Sequence, residues 1–162
     1  MLAMEREAGI GAALARLAAM PAQLRAAVET APRAALTVRG PGGTFALVEQ
    51  ACHLRDLERE GYLVRARRIL AEEDPELAPF FGDVVARERD YLAQDALAAA
   101  RDFAAARAEL VALLAAAAPS QLERTGTFGG ERITLARLVA MIEEHDAGHR
   151  AEIELLRGGA AR

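Results

Sequence analysis

Residues 135–156 read LARLVAMIEEHDAGHRAEIELL, with Leu135, Leu138, Ile142, Ile153 and Leu156 on one line of alternating three- and four-residue spacings. That line is the apolar stripe of a helix that turns one face to a core. His145 and His149 stand on the same stripe, one helical turn apart, where aliphatic side chains are the norm. The stretch therefore raises two questions: which fold buries this face, and what two inward imidazoles do there.

Working outward, Thr134 is placed to cap this helix, which runs to about Arg157 and stops at Gly158-Gly159. Upstream, Val85, Leu92, Ala99, Phe103, Leu110 and Leu113 predict a helix from about Val84 to Ala117. Leu47, Leu54, Leu57 and Val64 predict another from a Thr44 cap to about Glu73, with Glu49 in its early turns where the dipole favours a carboxylate. A first helical arm runs from about Met4, is expected to break near Pro21, continues through Leu24 and Val28, and ends before Pro32. Gly40-Pro41-Gly42-Gly43 reads as a connector, since no Lys-Ser/Thr follows to make it a phosphate loop. Phe80 and Phe81 are expected to plug the bundle end. The segment from Pro119 to Ile133 reads as a loop with a short turn around Gln121–Arg124, and no run predicts a strand. Four long amphipathic helices with three connections describe an all-α four-helix bundle, a single domain over residues 1–162.

Composition agrees and removes alternatives. Hydrophobic residues make up 52% of the 162 residues and aromatics 4%, with alanine prominent, which favours helix over strand. All 20 basic residues are arginine, so no Schiff-base or phosphate-loop lysine exists. The net charge of −4 is spread over mixed-sign faces without a basic block, which argues against nucleic acid as a partner. Cys52 is the single cysteine and excludes an internal disulfide. The longest apolar run, Leu110 to Pro119, is about half of what a membrane span needs. Glu5, Arg6 and Glu7 lie where a signal peptide turns apolar. The expectation is a cytoplasmic protein with no membrane partner.

The third and last histidine, His53, lies beside the apolar seam of the second long helix. A lone histidine on an apolar face is ordinarily a hydrogen-bonded core residue. Burying three polar rings costs a few kcal/mol unless each finds a partner, and coordination of one divalent metal removes that cost. His53, His145 and His149 are therefore the candidate metal ligands. Three nitrogen donors leave a coordination position open, as catalytic sites do, so that a bound water or thiol is acidified. Four carboxylates lie one turn from these rings: Glu49 and Asp56 around His53, Asp146 and Glu152 around His149. Each reads first as a solvated face residue, and Asp56 and Glu152 are the candidates for proton transfer or imidazole orientation. Cys52 and His53 diverge by about 100° on a helix and form no dyad. Ser120, the only serine, lacks a nucleophile-elbow context. Tyr62, Tyr91, Gln94 and Asp95 are candidates to line a cavity, although Tyr91 and its neighbours read first as boundary residues.

The order of these segments resembles the DinB-like superfamily of four-helix-bundle metalloproteins, which includes the YfiT-type metal-dependent hydrolases. The likeness covers nearly the whole chain. It rests on Cys52-His53-Leu54-Arg55-Asp56-Leu57-Glu58-Arg59, Glu72-Glu73-Asp74-Pro75, Arg87-Glu88-Arg89-Asp90-Tyr91 with Gln94-Asp95, and Ile133-Thr134-Leu135 ahead of His145 and His149. The resemblance implies a divalent metal on one histidine of helix 2 and two of the last helix, here His53, His145 and His149. Phe45-Ala46 stands where the family often has Trp-Ser, and Leu122 and Phe128 occupy a region that commonly carries Trp; both changes bear on pocket shape.

What the resemblance implies for function is a metal-dependent hydrolase, or a transferase using a low-molecular-weight thiol, acting on a small-molecule substrate. A metal- or ligand-binding stress-response protein without turnover is the alternative. Zinc or nickel suits three imidazoles first, and iron or copper also fits. A homodimer through an alanine-rich helix face is expected.

Overall fold

The alanine- and leucine-rich periodic segments form four long helical rods in a computed structural model that describes residues 2–159, with side-chain surroundings for 9–158. The first rod is α1 (Leu2–Thr30). The second is continuous but changes pitch, from α2 (Leu47–Asp56) through a π-helical turn (Leu57–Tyr62) into α3 (Leu63–Ala71). A short α4 (Gly82–Glu88) leads into the third rod, α5 (Ala96–Ala115), and the fourth is α6 (Leu135–Gly159). Helix α1 packs against α5 and α6, and α2 packs against α5, which closes the bundle. No helix among the described residues is long and apolar enough to cross a membrane.

Helix starts follow their side chains. The Asp95 carboxylate accepts the Ala98 N–H at 2.9 Å to cap α5, and Thr134 Oγ1 accepts from Arg137 N at 3.0 Å to cap α6. The expected cap of the second rod is corrected. Thr44 Oγ1 donates instead to the Pro41 carbonyl, and the rod starts at Leu47 with the Glu49 carboxylate accepting the Ala46 N–H at 2.9 Å.

Three further expectations are overturned. The helix expected over 84–117 is interrupted, because Asp90 adopts a left-handed conformation (φ 46°, ψ 63°) and Gln94 is extended. The loop before α6 contains strands: β1 (Glu76–Leu77) pairs parallel with β2 (Thr125–Phe128), which pairs antiparallel with β3 (Glu131–Thr134). Runs of two to four residues are too short to display alternation, but Gly129 and Gly130, both at positive φ (60° and 83°), form the two-residue turn that a tight hairpin requires. Phe81 is exposed, and only Phe80 packs against the core.

The break expected at Pro21 does not occur, and the reason organises the interior. Proline has no N–H to donate to the carbonyl four residues back, so the helix leaves Leu17 O without its usual partner. Arg107 of α5 supplies that donor, with Nη1 3.0 Å from Leu17 O. Its remaining donors grip two buried carboxylates. Nε and Nη2 reach Glu58 at 2.5 and 3.0 Å, and Nη1 and Nη2 reach Asp146 at 2.6 and 3.1 Å. Burial opposes the charged guanidinium, but the hydrogen bonds of Asp146 and Glu58 outweigh it and hold the proton on.

This charged layer separates two apolar clusters. Met20, Leu24, Leu54 and Phe103 belong to one, and Leu17, Leu57, Leu110 and Ile142 to the other. On every rod the boundary falls beside a member of the layer.

Removing one partner of a buried charge cluster strands the others. Arg107→Met should cost about 3–5 kcal/mol in urea unfolding. Glu143→Gln, which breaks the partly exposed Arg16–Glu143 pair, should cost under about 1 kcal/mol. Equal losses for the two variants would remove Arg107 from its central place.

Candidate metal centre

The polar layer continues into the histidines. His53 leaves α2 one turn before the π-helical turn, and His145 and His149 leave consecutive turns of α6. Their rings converge: His145 Nε2 lies 3.3 Å from His53 Nε2 and 3.0 Å from His149 Nε2. One ring nitrogen from each residue lies within 4.8 Å of the others.

The tautomer of His149 follows from its neighbours. Gln50 Nε2 donates to Glu152 Oε2 at 2.6 Å and to Phe45 O at 3.3 Å, and both of those atoms only accept. The amide oxygen of Gln50 therefore faces His149 Nδ1 and accepts its N–H. That leaves the lone pair of His149 on Nε2, aimed at the other rings.

Burial, reinforced at His53 by His149, lowers the His53 ring to about 4. Burial together with His149 and His53 lowers His145 to about 2, and burial alone lowers His149 to about 4. All three rings are neutral near neutral pH. Three facing nitrogens cannot satisfy one another, since one N–H serves only part of the set. Nitrogen ligands 2.0–2.1 Å from one tetrahedral ion stand about 3.3–3.4 Å apart, close to the two separations seen here. The donor set and its spacing fit a divalent metal.

Position comes from packing more than from hydrogen bonds. His53 Nδ1 and His145 Nδ1 are buried with no partner. The His53 ring instead sits between Phe45 and Phe80, at centroid distances of 5.7 and 6.0 Å, while Tyr62 meets His145 edge-on at 5.8 Å. Gly82 presses on His53 directly: a β-carbon there would lie 2.6 Å from the ring's Cε1 and 2.8 Å from Nδ1.

The four carboxylates one turn from the rings take different places. Glu49 binds Arg39 through both oxygens, at 2.8 and 2.5 Å; burial pushes its carboxyl up, and the Arg39 and Ala46 hydrogen bonds bring it below the ordinary value. Asp56 accepts from Arg55 (2.6 Å), Arg89 (2.8 Å) and Tyr91 (2.7 Å), so both its oxygens are occupied. Asp146 belongs to Arg107. These three are buried, against the reading of solvated faces, and Tyr91 is fully buried rather than a boundary residue. Glu152 alone stays partly exposed, at 42% of its side chain, with Oε2 on Gln50 and 3.5 Å from His149 Nδ1. It lines a 440 Å³ cavity with His53, His149, Gly82 and Asp83.

Sequence reasoning missed Gln50, Gly82, Glu58 and Arg107, whereas Tyr62, read as a possible cavity residue, does lie against His145. For Arg107 and Glu58 a signal was present, because each interrupts an apolar stripe, Arg107 between Phe103 and Leu110 and Glu58 four residues after Leu54. Gln50 and Gly82 carry no such mark.

Residues 16–153 match the family model of the DinB superfamily. The chain belongs to the DinB superfamily. Among solved structures this DinB-superfamily chain is similar to YfiT from Bacillus subtilis, described as a probable metal-dependent hydrolase with an unusual four-helix bundle topology. The two share 24% identity and a TM-score of 0.85, over 92% of this chain and 87% of that one, a likeness that speaks to fold. No functionally curated protein matches the chain.

Two outcomes follow for this DinB-superfamily site. Gly82→Ala should push the His53 ring aside and weaken zinc binding about tenfold or more in a chelator-competition titration. Unchanged affinity would show that the His53 position is not what Gly82 protects. In chelator-treated protein, the unfolded chain protonates its histidines near 6.5 while the folded rings resist to about 4 or below. The folded state therefore loses stability as pH falls from 6.5 towards 4, by up to ~1.4 kcal/mol per pH unit for each ring. His145→Leu should flatten that slope, read by urea unfolding across the pH range.

Proposed function

We propose that the protein is a metal-dependent enzyme of the hydrolase class, with one divalent ion on His53, His145 and His149. The observation that carries this reading is three neutral imidazoles converging through Nε2 beside a cavity that also presents a partly exposed carboxylate. An ion held there supplies Lewis acidity and acidifies a bound water or thiol.

The chain's own residues supply the rest. Gln50 fixes the His149 tautomer and tethers Glu152 through Oε2, which leaves Oε1 free at the cavity to take a proton from an incoming nucleophile and return it to a leaving group. A water needs such a base, whereas a thiol is acidic enough to do without one, so Glu152 favours hydrolysis over thiol transfer. Asp56, with both oxygens engaged, acts as a strut between α2 and the segment that leads to α5.

Untagged protein made without chelator should carry close to one equivalent of metal. Occupancy under about a tenth, unchanged by resupplied zinc or nickel, would sink the site. His149→Ala should lose the metal. Glu152→Gln should keep the metal and lose about 10²-fold or more in kcat on an ester and amide panel. Turnover that appears only when a low-molecular-weight thiol is added, and is indifferent to Glu152→Gln, would move the assignment to a thiol-dependent transferase.

A further inference from the structure

Two arginines are buried among the described residues, Arg107 and Arg65, and their surroundings differ. Arg107 has two carboxylates. Arg65, on α3 and 5% exposed, has none: its Nε and Nη2 both donate to one carbonyl, Ala78 O, at 3.1 and 3.0 Å. Aromatic rings cover the guanidinium, with Phe128 at 4.5 Å and Tyr62 at 5.5 Å from Cζ. Among the described residues no carboxylate pairs with it, and burial lowers its pKa. Such a buried cation is expensive without a counter-charge.

Its free donor has a companion. Among the described residues, Arg65 Nη1 and the Tyr62 hydroxyl have no hydrogen-bond partner, and neither is among the unpartnered polar atoms cut off from solvent, so both stand at an edge that solvent reaches. A β-carbon at Gly61 would meet Leu57 Cδ1 at 2.6 Å and lie 3.6 Å from Arg65 Nη1, so the glycine keeps this side of the guanidinium uncrowded. Tyr62 also touches His145, and the Arg65 charge is felt at that ring.

The π-helical turn creates this arrangement. In an uninterrupted α-helix, Arg65 would point about 120° away from His53, twelve residues earlier. Within the turn, Leu63 N–H reaches back five residues to Glu58 O, which acts as one inserted residue and brings the angle to about 20°. The wider turn puts ligand and cation on one side of the rod.

We propose that Arg65 and Tyr62 form a recognition site for a substrate carboxylate beside the three histidines. One carboxylate oxygen takes the Arg65 Nη1–H and the other the Tyr62 O–H, and the bound anion supplies the missing counter-charge. The assignment rests on the catalytic reading above for the word substrate, while the binding itself does not need the metal.

The test is an NMR titration of metal-free and zinc-loaded protein with propionate, with propionamide as the uncharged control. Propionate should bind saturably, shifting the ring signals of Tyr62 and His145, and propionamide should not. Tyr62→Phe should weaken propionate about tenfold, Arg65→Met should abolish its binding, and Arg65→Lys should retain part of it. Inorganic phosphate should bind more weakly than propionate; tighter phosphate binding would overturn the carboxylate assignment. Absence of saturable propionate binding, or equal binding in Arg65→Met, would overturn the proposal. If Arg65→Met does not fold, unchanged propionate affinity in both Tyr62→Phe and Arg65→Lys does the same. Zinc uptake without propionate binding retires this site alone, and propionate binding without zinc uptake retires the catalytic reading alone.

Discussion

The guanidinium of Arg107 is the point on which the rest of the structure depends. It ties α5 to the second rod through Glu58, to α6 through Asp146, and to α1 through Leu17 O. A cation at the centre of an apolar bundle is tolerable only because all its donor directions are used and two carboxylates share its charge. The arrangement also sets register. Each long rod contributes one polar group at one height, so a slide of any helix by a turn would strand a charge in hydrocarbon.

Fixing that height fixes the histidines. His145 is the residue before Asp146, and His53 lies five residues before Glu58, so the bonds that lock α6 and the second rod to Arg107 also bring the two sets of imidazoles to one level. The rings need few hydrogen bonds of their own, because the backbone beneath them is already placed. Gln50 is the exception, and its task is chemical: it decides which nitrogen of His149 carries the proton. The site thus combines a rigid charged floor with an uncharged donor set above it, where a cation meets no competing proton near neutral pH.

How much of this the sequence disclosed depended on the kind of pattern each part makes. Helical stripes repeat over many turns, so the four rods and the inward turn of His145 and His149 were visible from Leu135, Leu138, Ile142 and Ile153. His53 was visible beside Leu54 and Leu57. The hairpin at Gly129-Gly130 spans too few residues to alternate, and the break at Asp90 lies inside a run whose composition is helical on both sides. Pro21 misled for a definite reason: the rule that proline ends a helix presumes that the orphaned carbonyl finds no donor, and Arg107 comes from a segment 90 residues away. The roles of Asp56 and Asp146 were hidden likewise, since a carboxylate on a helix reads as surface until its arginine is located.

The π-helical turn has a consequence for how such a chain diversifies. Loss of a single codon within Leu57–Tyr62 would restore ordinary pitch and rotate all of α3 by about 100° against α2. His53 would keep its place, while a different set of α3 side chains came to look toward it. The turn divides the rod into a half that carries the candidate ligand His53 and a half whose inward-facing residues one insertion or deletion would exchange. That makes the turn a short mutational route to a different set of side chains beside His53.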